Sequence, residues 1–168
     1  MEKVIWKENK RINMGFSAAK IPAGTENSLQ HIVHLENGTS VDIESVKEGD
    51  VVLSWDTDIV PTVVNENRIS EMTDGIVLKI STKYSSIIYT SNHLIKYYRE
   101  DKLIEDNIGT LQVGDEIIYL IEDEDNSSNF TLEKIVSIDE VEIEDTINLI
   151  HPITELGYLF VNNILVEG

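Results

Sequence analysis

The chain contains no cysteine, so a side-chain nucleophile for acyl transfer would have to be a hydroxyl, with an imidazole as its proton-transfer partner. The run Thr90-Ser91-Asn92-His93 places a hydroxyl and an imidazole close together in sequence. An imidazole can transfer protons near neutral pH, and a hydroxyl can orient or attack a carbonyl group. From the residues alone, a strand threonine and a turn histidine, each satisfied by local hydrogen bonds, explain this run equally well.

The sequence predicts no cofactor and no metal site. His31 and His34 fall on opposite sides of a predicted strand, which argues against a shared metal ion. His151 precedes Pro152 and is predicted to lie in a loop. The acidic run at 122–129 lacks the glycine and the distal glutamate of a calcium loop. It is therefore predicted to be a solvated loop.

Short apolar runs separated by turn residues predict an all-β domain of many short strands. These runs, such as Ile76 to Ile80 and Ile117 to Leu120, are rich in β-branched and aromatic residues. No segment sustains helical periodicity with clear caps. Residues 1–19 are predicted to be an N-terminal arm or first strand, and residues 20–168 a single domain with an acidic loop at 122–129.

A weak internal repeat predicts two related β subdomains. The segment from Val46 to Leu53 is similar to the segment from Leu111 to Ile118. In both, an apolar residue is followed by two intervening positions, then Gly-Asp, then a strand. Glycine supplies a turn conformation that other residues adopt at a cost. The repeat therefore favours a pseudo-twofold arrangement.

The charge of the chain limits its partners. It has 13 basic and 31 acidic residues, for a formal net charge of −18. This charge repels phosphate backbones, so nucleic acid is not expected as a partner. The sequence contains no run long enough to span a membrane and no signal peptide, so a cytoplasmic location is expected. A protein partner, if basic, would bind in a salt-sensitive manner.

The order and spacing of four motifs resemble the Hint family, which comprises inteins, bacterial intein-like domains and the autoprocessing domain of hedgehog proteins. Its N-terminal block is similar to the segment from Asn37 to Ser54, and its T-x-x-H motif to Thr90 through His93. Gly114-Asp115 and the segment from Ile147 to Val166 resemble its second "GD" and its C-terminal block. The resemblance implies a Hint-like fold with pseudo-twofold related subdomains.

The resemblance also implies a chemistry whose residues are largely missing. Hint catalysis begins when a side-chain nucleophile attacks the carbonyl group of the preceding residue. The resemblance implies that His93 would protonate the departing nitrogen and that Thr90 would help orient the bond, so these two are the candidate catalytic residues. The segment from Ile21 to Thr25 resembles "F-P-A-G-T", which places Lys20 where the family has cysteine, and a protonated amine is not a nucleophile. If the block is instead anchored on Val33 to Glu36, Ser28 becomes the candidate hydroxyl nucleophile.

The C-terminal block departs from the family in the same direction. Glu167 and Gly168 stand where inteins have histidine and the cyclising asparagine, and Asn148 stands where the block has aspartate. Neither Glu167 nor Gly168 can form a succinimide by that route. Asn162 and Asn163 match the structural turn before the last strand, and they are predicted to be turn residues.

The leading hypothesis is a catalytically inactive Hint-like domain with a structural or protein-docking role, in the cytoplasm or in a phage-tail-like or other mobile-element assembly. Thr90 and His93 would then be relics of autoprocessing. The alternative is a self-cleaving domain that uses Ser28, Thr25 or Ser17 with Thr90 and His93. A third possibility is that the catalytic residues were replaced deliberately. The sequence leaves the oligomeric state and the identity of the partner open.

Overall fold

The computed structural model describes residues 17–22, 28–122 and 127–168, and these form an all-β structure of antiparallel strands. Two short 3₁₀ turns, Ile43–Ser45 and Ile108–Thr110, each precede a Gly-Asp turn. In the described ranges no helix is long and apolar enough to cross a membrane. The strands are β1 (Ala18–Lys20), β2 (Ile32–His34), β3 (Ser40–Asp42), β4 (Val51–Trp55), β5 (Ile59–Met72), β6 (Gly75–Ser81), β7 (Ser86–Tyr89), β8 (Leu94–Arg99), β9 (Lys102–Asn107), β10 (Glu116–Glu122), β11 (Ser128–Lys134), β12 (Ser137–Ile143), β13 (Ile147–Thr154), β14 (Tyr158–Val161) and β15 (Ile164–Glu167).

The strands form two sheets. One has the order β12-β6-β7-β1-β13-β5-β4, and the other has the order β11-β10-β8-β15-β14-β2-β3, with β9 also paired to β8. The main core contains fully buried residues from both sheets, including Ile80 and Ile87 from the first and Val33 and Ile95 from the second. This core fixes β1, β7, β8 and β15 next to one another, and these strands position the candidate site. The predicted all-β fold class is confirmed.

The predicted internal repeat forms the same turn twice. Gly49 and Gly114 have φ of 91° and 98°, a region that glycine adopts without strain. The carboxylates of Asp50 and Asp115 each accept a hydrogen bond from the backbone N–H three residues earlier, at 3.0 Å and 2.8 Å. Each glycine also donates a backbone hydrogen bond to a later part of the chain. Gly49 N donates to Val64 O and Gly114 N donates to Ile135 O, both at 2.9 Å. The two turns are therefore structural equivalents.

The second turn carries an additional ion pair. Arg99 donates to both carboxylate oxygens of Asp115, at 2.9 Å and 2.8 Å. Asp115 is buried, with 4% of its surface exposed. The hydrogen bonds from Arg99 hold the pKa of Asp115 below its usual value, against the opposing effect of burial. The ion pair therefore joins β8 to the start of β10.

Several local predictions differ from the structure. The prediction that His151 lies in a loop is wrong, since His151 and Pro152 belong to β13. Pro152 is tolerated because β1 pairs only with residues 148–150 of β13, so no described strand needs a hydrogen bond on that side of it. The predicted acidic loop is shorter than 122–129: Glu122 ends β10, β11 begins at Ser128, and residues 123–126 lie outside the described ranges.

The predicted N-terminal boundary at residue 20 falls inside the first strand. Residues 1–16 lie outside the described ranges, and β1 comprises Ala18 to Lys20. Three further strands, β5, β9 and β11, lie in stretches that the apolar pattern did not single out. Of these, β5 and β9 carry many exposed polar side chains, which weaken the apolar pattern.

Candidate functional site

Thr90 is joined to Ser17 through two hydrogen bonds. Thr90 directly follows β7, and its N–H donates to the carbonyl oxygen of Ser17 at 3.0 Å. In return, Ser17 N donates to Thr90 Oγ1 at 3.0 Å. The residue after Ser17 is Ala18, whose register partner in β7 is Tyr89. Thr90 therefore holds the start of β1 by both its backbone and its side chain.

The hydroxyl of Ser17 is buried beside this pair of bonds. Only 1% of the surface of Ser17 is exposed, and its Oγ has no hydrogen-bond partner among the described residues. A buried hydroxyl without a partner costs stability, so its presence calls for a physical reason. The hydroxyl of Ser17 is also a group that could attack a carbonyl carbon.

His93 connects the same turn to the last strand. The backbone N–H of His93 donates to Thr90 O at 3.2 Å, which closes the turn between β7 and β8. Its Nε2 lies 2.6 Å from the backbone oxygen of Glu167 in β15. A carbonyl oxygen can only accept, so Nε2 carries the proton of this bond. The imidazole, which is 1% exposed, therefore fixes β15 against the T-x-x-H turn.

Four aromatic rings pack in a row through this region. The ring centroids of His31 and Tyr89 lie 5.6 Å apart, those of Tyr89 and His93 4.6 Å apart, and those of His93 and His151 5.4 Å apart. Burial raises the pKa of Tyr89, so its hydroxyl stays protonated. Burial also lowers the pKa of His31 to about 4, although Asp42 opposes the shift. His31 is therefore neutral at physiological pH, and its Nε2 accepts a hydrogen bond from Ile88 N at 3.0 Å.

The structure places Ser28 apart from this group. Ser28 is exposed and lines a cavity of about 320 Å³ whose wall also includes Lys20 and Asp42. In the described part of the chain no hydrogen bond joins Ser28 to Thr90 or His93. Lys20 is exposed and forms an ion pair with Glu44. Thr25 lies outside the described residues.

The end of β15 is enclosed by its neighbours. Gly168 N donates to Gly157 O at 2.9 Å, and Thr154 Oγ1 donates to Gly168 O at 2.5 Å. A Cβ at Gly168 would overlap Leu159 Cδ2 and would lie 3.0 Å from the backbone oxygen of Pro152. Leu159 is fully buried and cannot move aside freely. The position therefore accepts glycine, and a larger side chain would require its buried neighbours to shift.

Solved structures of inteins and intein-like domains are similar to this chain over most of its length. The bacterial intein-like domain from Clostridium thermocellum aligns with a TM-score of 0.67 over 91% of this chain and 98% of its own, at 18% identity. The TvoVMA intein aligns with a TM-score of 0.70 over 90% of this chain and 97% of its own, at 14% identity. This chain has the intein-like Hint fold.

A third example of the Hint fold is similar to the same extent. A KlbA intein precursor from Methanococcus jannaschii aligns with a TM-score of 0.67 over 91% of both chains, at 14% identity. No family model matches the sequence, and no curated protein matches it. At these identities the structural similarity defines the fold and leaves the activity to be argued from the site.

Within this Hint fold, the predicted pair Thr90 and His93 lies at the junction of β1, β7 and β15. Sequence reasoning named Ser17 only among the alternatives, and it did not place His31, Tyr89 and His151 beside His93. The sequence signal that could have placed Ser17 in a buried strand is the pair of small residues that follows it, Ala18 and Ala19, because small side chains permit strands to pack closely. Both alanines are 1% exposed.

Filling the position of Gly168 is expected to destabilise this Hint fold. Gly168→Ala should lower the free energy of unfolding by about 1–3 kcal/mol, because the added Cβ overpacks a closed site. Leu159→Ala alone should cost about 2–5 kcal/mol as a large-to-small core change. The double variant should cost less than the sum, since the shortened Leu159 leaves room for the new methyl group. Urea unfolding of the four proteins measures this, and strict additivity would contradict the steric account.

Proposed function

We propose that this chain is a catalytically inactive Hint-fold domain that serves as a structural or docking module. The observation that carries the proposal is the packing around Gly168, where an added Cβ would overlap Leu159. A cyclising asparagine needs both a side chain and freedom to reach its own backbone carbonyl. In addition, the hydrogen bond from Thr154 Oγ1 to the carbonyl oxygen of Gly168 holds the backbone of that residue in place.

Under this proposal Thr90 and His93 are relics whose present role is structural. Thr90 fastens β1 to β7, and His93 fastens β15 to the turn between β7 and β8. The setting we propose is a phage-tail-like or other mobile-element assembly, by analogy with the genes in which Hint relatives occur. The net charge of −18 favours a protein partner with a basic surface.

A second candidate function is favoured by one observation, the unpartnered hydroxyl of Ser17 beside Thr90. In this alternative Ser17 Oγ attacks the carbonyl carbon of Phe16, which lies outside the described residues. A C–O bond forms, the Phe16–Ser17 C–N bond breaks, and the amide becomes an ester. A base takes the hydroxyl proton, and the freed nitrogen of Ser17 takes up a proton. The T-x-x-H motif makes His93 the candidate donor of that second proton.

Hydroxylamine separates the two candidates, because it cleaves esters rapidly and ordinary amides slowly. The purified chain, together with its Ser17→Ala and Ser28→Ala variants, is incubated with neutral hydroxylamine and followed by mass spectrometry. The leading proposal gives no fragment from any of the three proteins. A fragment ending at Phe16 that forms in the parent and in Ser28→Ala, but not in Ser17→Ala, would establish the second candidate instead.

A further inference from the structure

An open groove lies between the β4–β5 hairpin and the turn that joins β13 to β14. Its volume is about 310 Å³, and it lies away from Thr90 and His93. Leu156, one of its lining residues, is 42% exposed. The lining consists of the apolar residues Val51, Pro61, Val63 and Leu156, the polar residue Thr62 and two acidic residues, Glu36 and Glu155.

The backbones of the two acidic residues are fixed by hydrogen bonds to the β4–β5 hairpin. Glu36 N donates to Val51 O at 2.9 Å, and Glu155 N donates to Val63 O at 3.0 Å. Val51 and Val63 are register partners in the β4–β5 pair. Both glutamates are therefore anchored to one pair of residues in the same hairpin. The groove is a fixed feature of the fold whose two carboxylates extend from ordered backbone.

The charges at the groove are uncompensated. None of the residues that line it is basic. Within the described ranges neither Glu36 nor Glu155 belongs to an ion pair. A mostly apolar lining that includes two glutamates complements a lysine or arginine side chain, whose methylene stem packs on apolar atoms while its charged head meets the acids. A second copy of this chain is a poor occupant, because it too carries a net charge of −18.

We propose that this groove binds a lysine or arginine side chain from an extended basic segment of a partner protein. The inference rests on the proposed docking function and gives it a location. Ion pairs between the basic side chain and the two glutamates would be exposed to solvent, so each would contribute modestly to binding. A short peptide should therefore bind weakly and in a salt-sensitive manner.

The proposal is tested by titrating the ¹⁵N-labelled full chain with the peptide acetyl-Leu-Arg-Leu-amide. The matched control peptide carries citrulline in place of arginine, which keeps the shape and removes the charge. The expected shifts are confined to the amides of Val51, Val63 and residues 155–157, and the citrulline peptide binds more weakly. Glu36→Gln combined with Glu155→Gln should weaken binding about tenfold.

A second pair of variants controls for the overall charge of the protein. Glu140→Gln with Glu142→Gln removes the same charge from β12, and it should change binding less than about twofold. Equal weakening by both pairs, or shifts spread over the whole acidic surface, would overturn the groove as the site. No binding by the arginine peptide would also overturn it. That result would leave the absence of self-cleavage untouched, because hydroxylamine tests self-cleavage separately.

Discussion

Replacing Asn162 by alanine is expected to lower the free energy of unfolding by about 3–4 kcal/mol, because the side chain makes three hydrogen bonds of about 1 kcal/mol each and the residue has positive φ. Asn162 Oδ1 accepts from Ile32 N at 2.7 Å. Its Nδ2 donates to Gln30 O and Ser86 O, both at 2.9 Å. These bonds join the β14–β15 turn to both sheets.

A glycine variant separates the two contributions. Asn162 has a φ of 49°, which alanine adopts at a cost and glycine does not. Asn162→Gly should therefore be less destabilising than Asn162→Ala by about 1 kcal/mol. Asn65→Ala, at an exposed position of β5, is the matched control and should change stability by less than about 0.5 kcal/mol. Urea denaturation measures all three, and equal effects of Asn162→Ala and Asn65→Ala would contradict the role of Asn162.

Acidification is expected to destabilise the protein through His31. The folded state holds the pKa of His31 at about 4, below its ordinary value of 6.5. Between these values the unfolded chain binds more protons, so the free energy of unfolding falls as the pH falls. Between about pH 7.5 and about pH 5 this loss should reach about 2 kcal/mol.

A variant at the same position identifies the source of that loss. Glutamine at His31 can still offer an oxygen to Ile88 N but cannot take up a proton, so His31→Gln should show a flatter dependence of stability on pH. His34→Gln, at the end of the adjacent strand β2, is the control and should retain the dependence that His31 causes. Stability is measured by urea unfolding at several pH values. A pH dependence in His31→Gln as steep as in the parent would contradict the assignment.

The local features of the fold were predictable because each is written in a few adjacent residues. The two Gly-Asp turns follow from glycines with positive φ and aspartates that cap the preceding backbone. The turn at Asn162 and Asn163 is confirmed for the same reason, since both residues have positive φ, a region that asparagine tolerates. His151 was misplaced because its neighbour Pro152 marks a strand boundary in most sequences, and only the partial pairing of β13 makes it acceptable.

The candidate site could not be assembled from the sequence, because long-range strand pairing brings it together. Ser17 and Thr90 are separated by 73 positions, and His93 and Glu167 by 74. No local pattern encodes such contacts; they depend on the register of β1 against β7 and on the position of β15. The resemblance to a known family located Thr90 and His93, but the choice between Ser17 and Ser28 depended on which of the two lies beside Thr90.

The steric argument at Gly168 likewise required the structure. The resemblance aligns Gly168 with the cyclising asparagine of inteins, and glycine has no reactive side chain. The packing shows in addition that a Cβ at this position would overlap Leu159. Placing asparagine there is therefore expected to destabilise the fold rather than to produce cleavage.

The central claim is that this Hint fold leaves the peptide bonds at both of its ends intact. The most direct measurement is the intact mass of the chain carrying one reporter peptide before Met1 and another after Gly168, recorded during prolonged incubation at neutral pH. We expect a single species whose mass is that of the 19.0 kDa chain plus both reporters at every time point. A product lacking either reporter, or a species in which the two reporters are joined and the domain is excised, would contradict the claim.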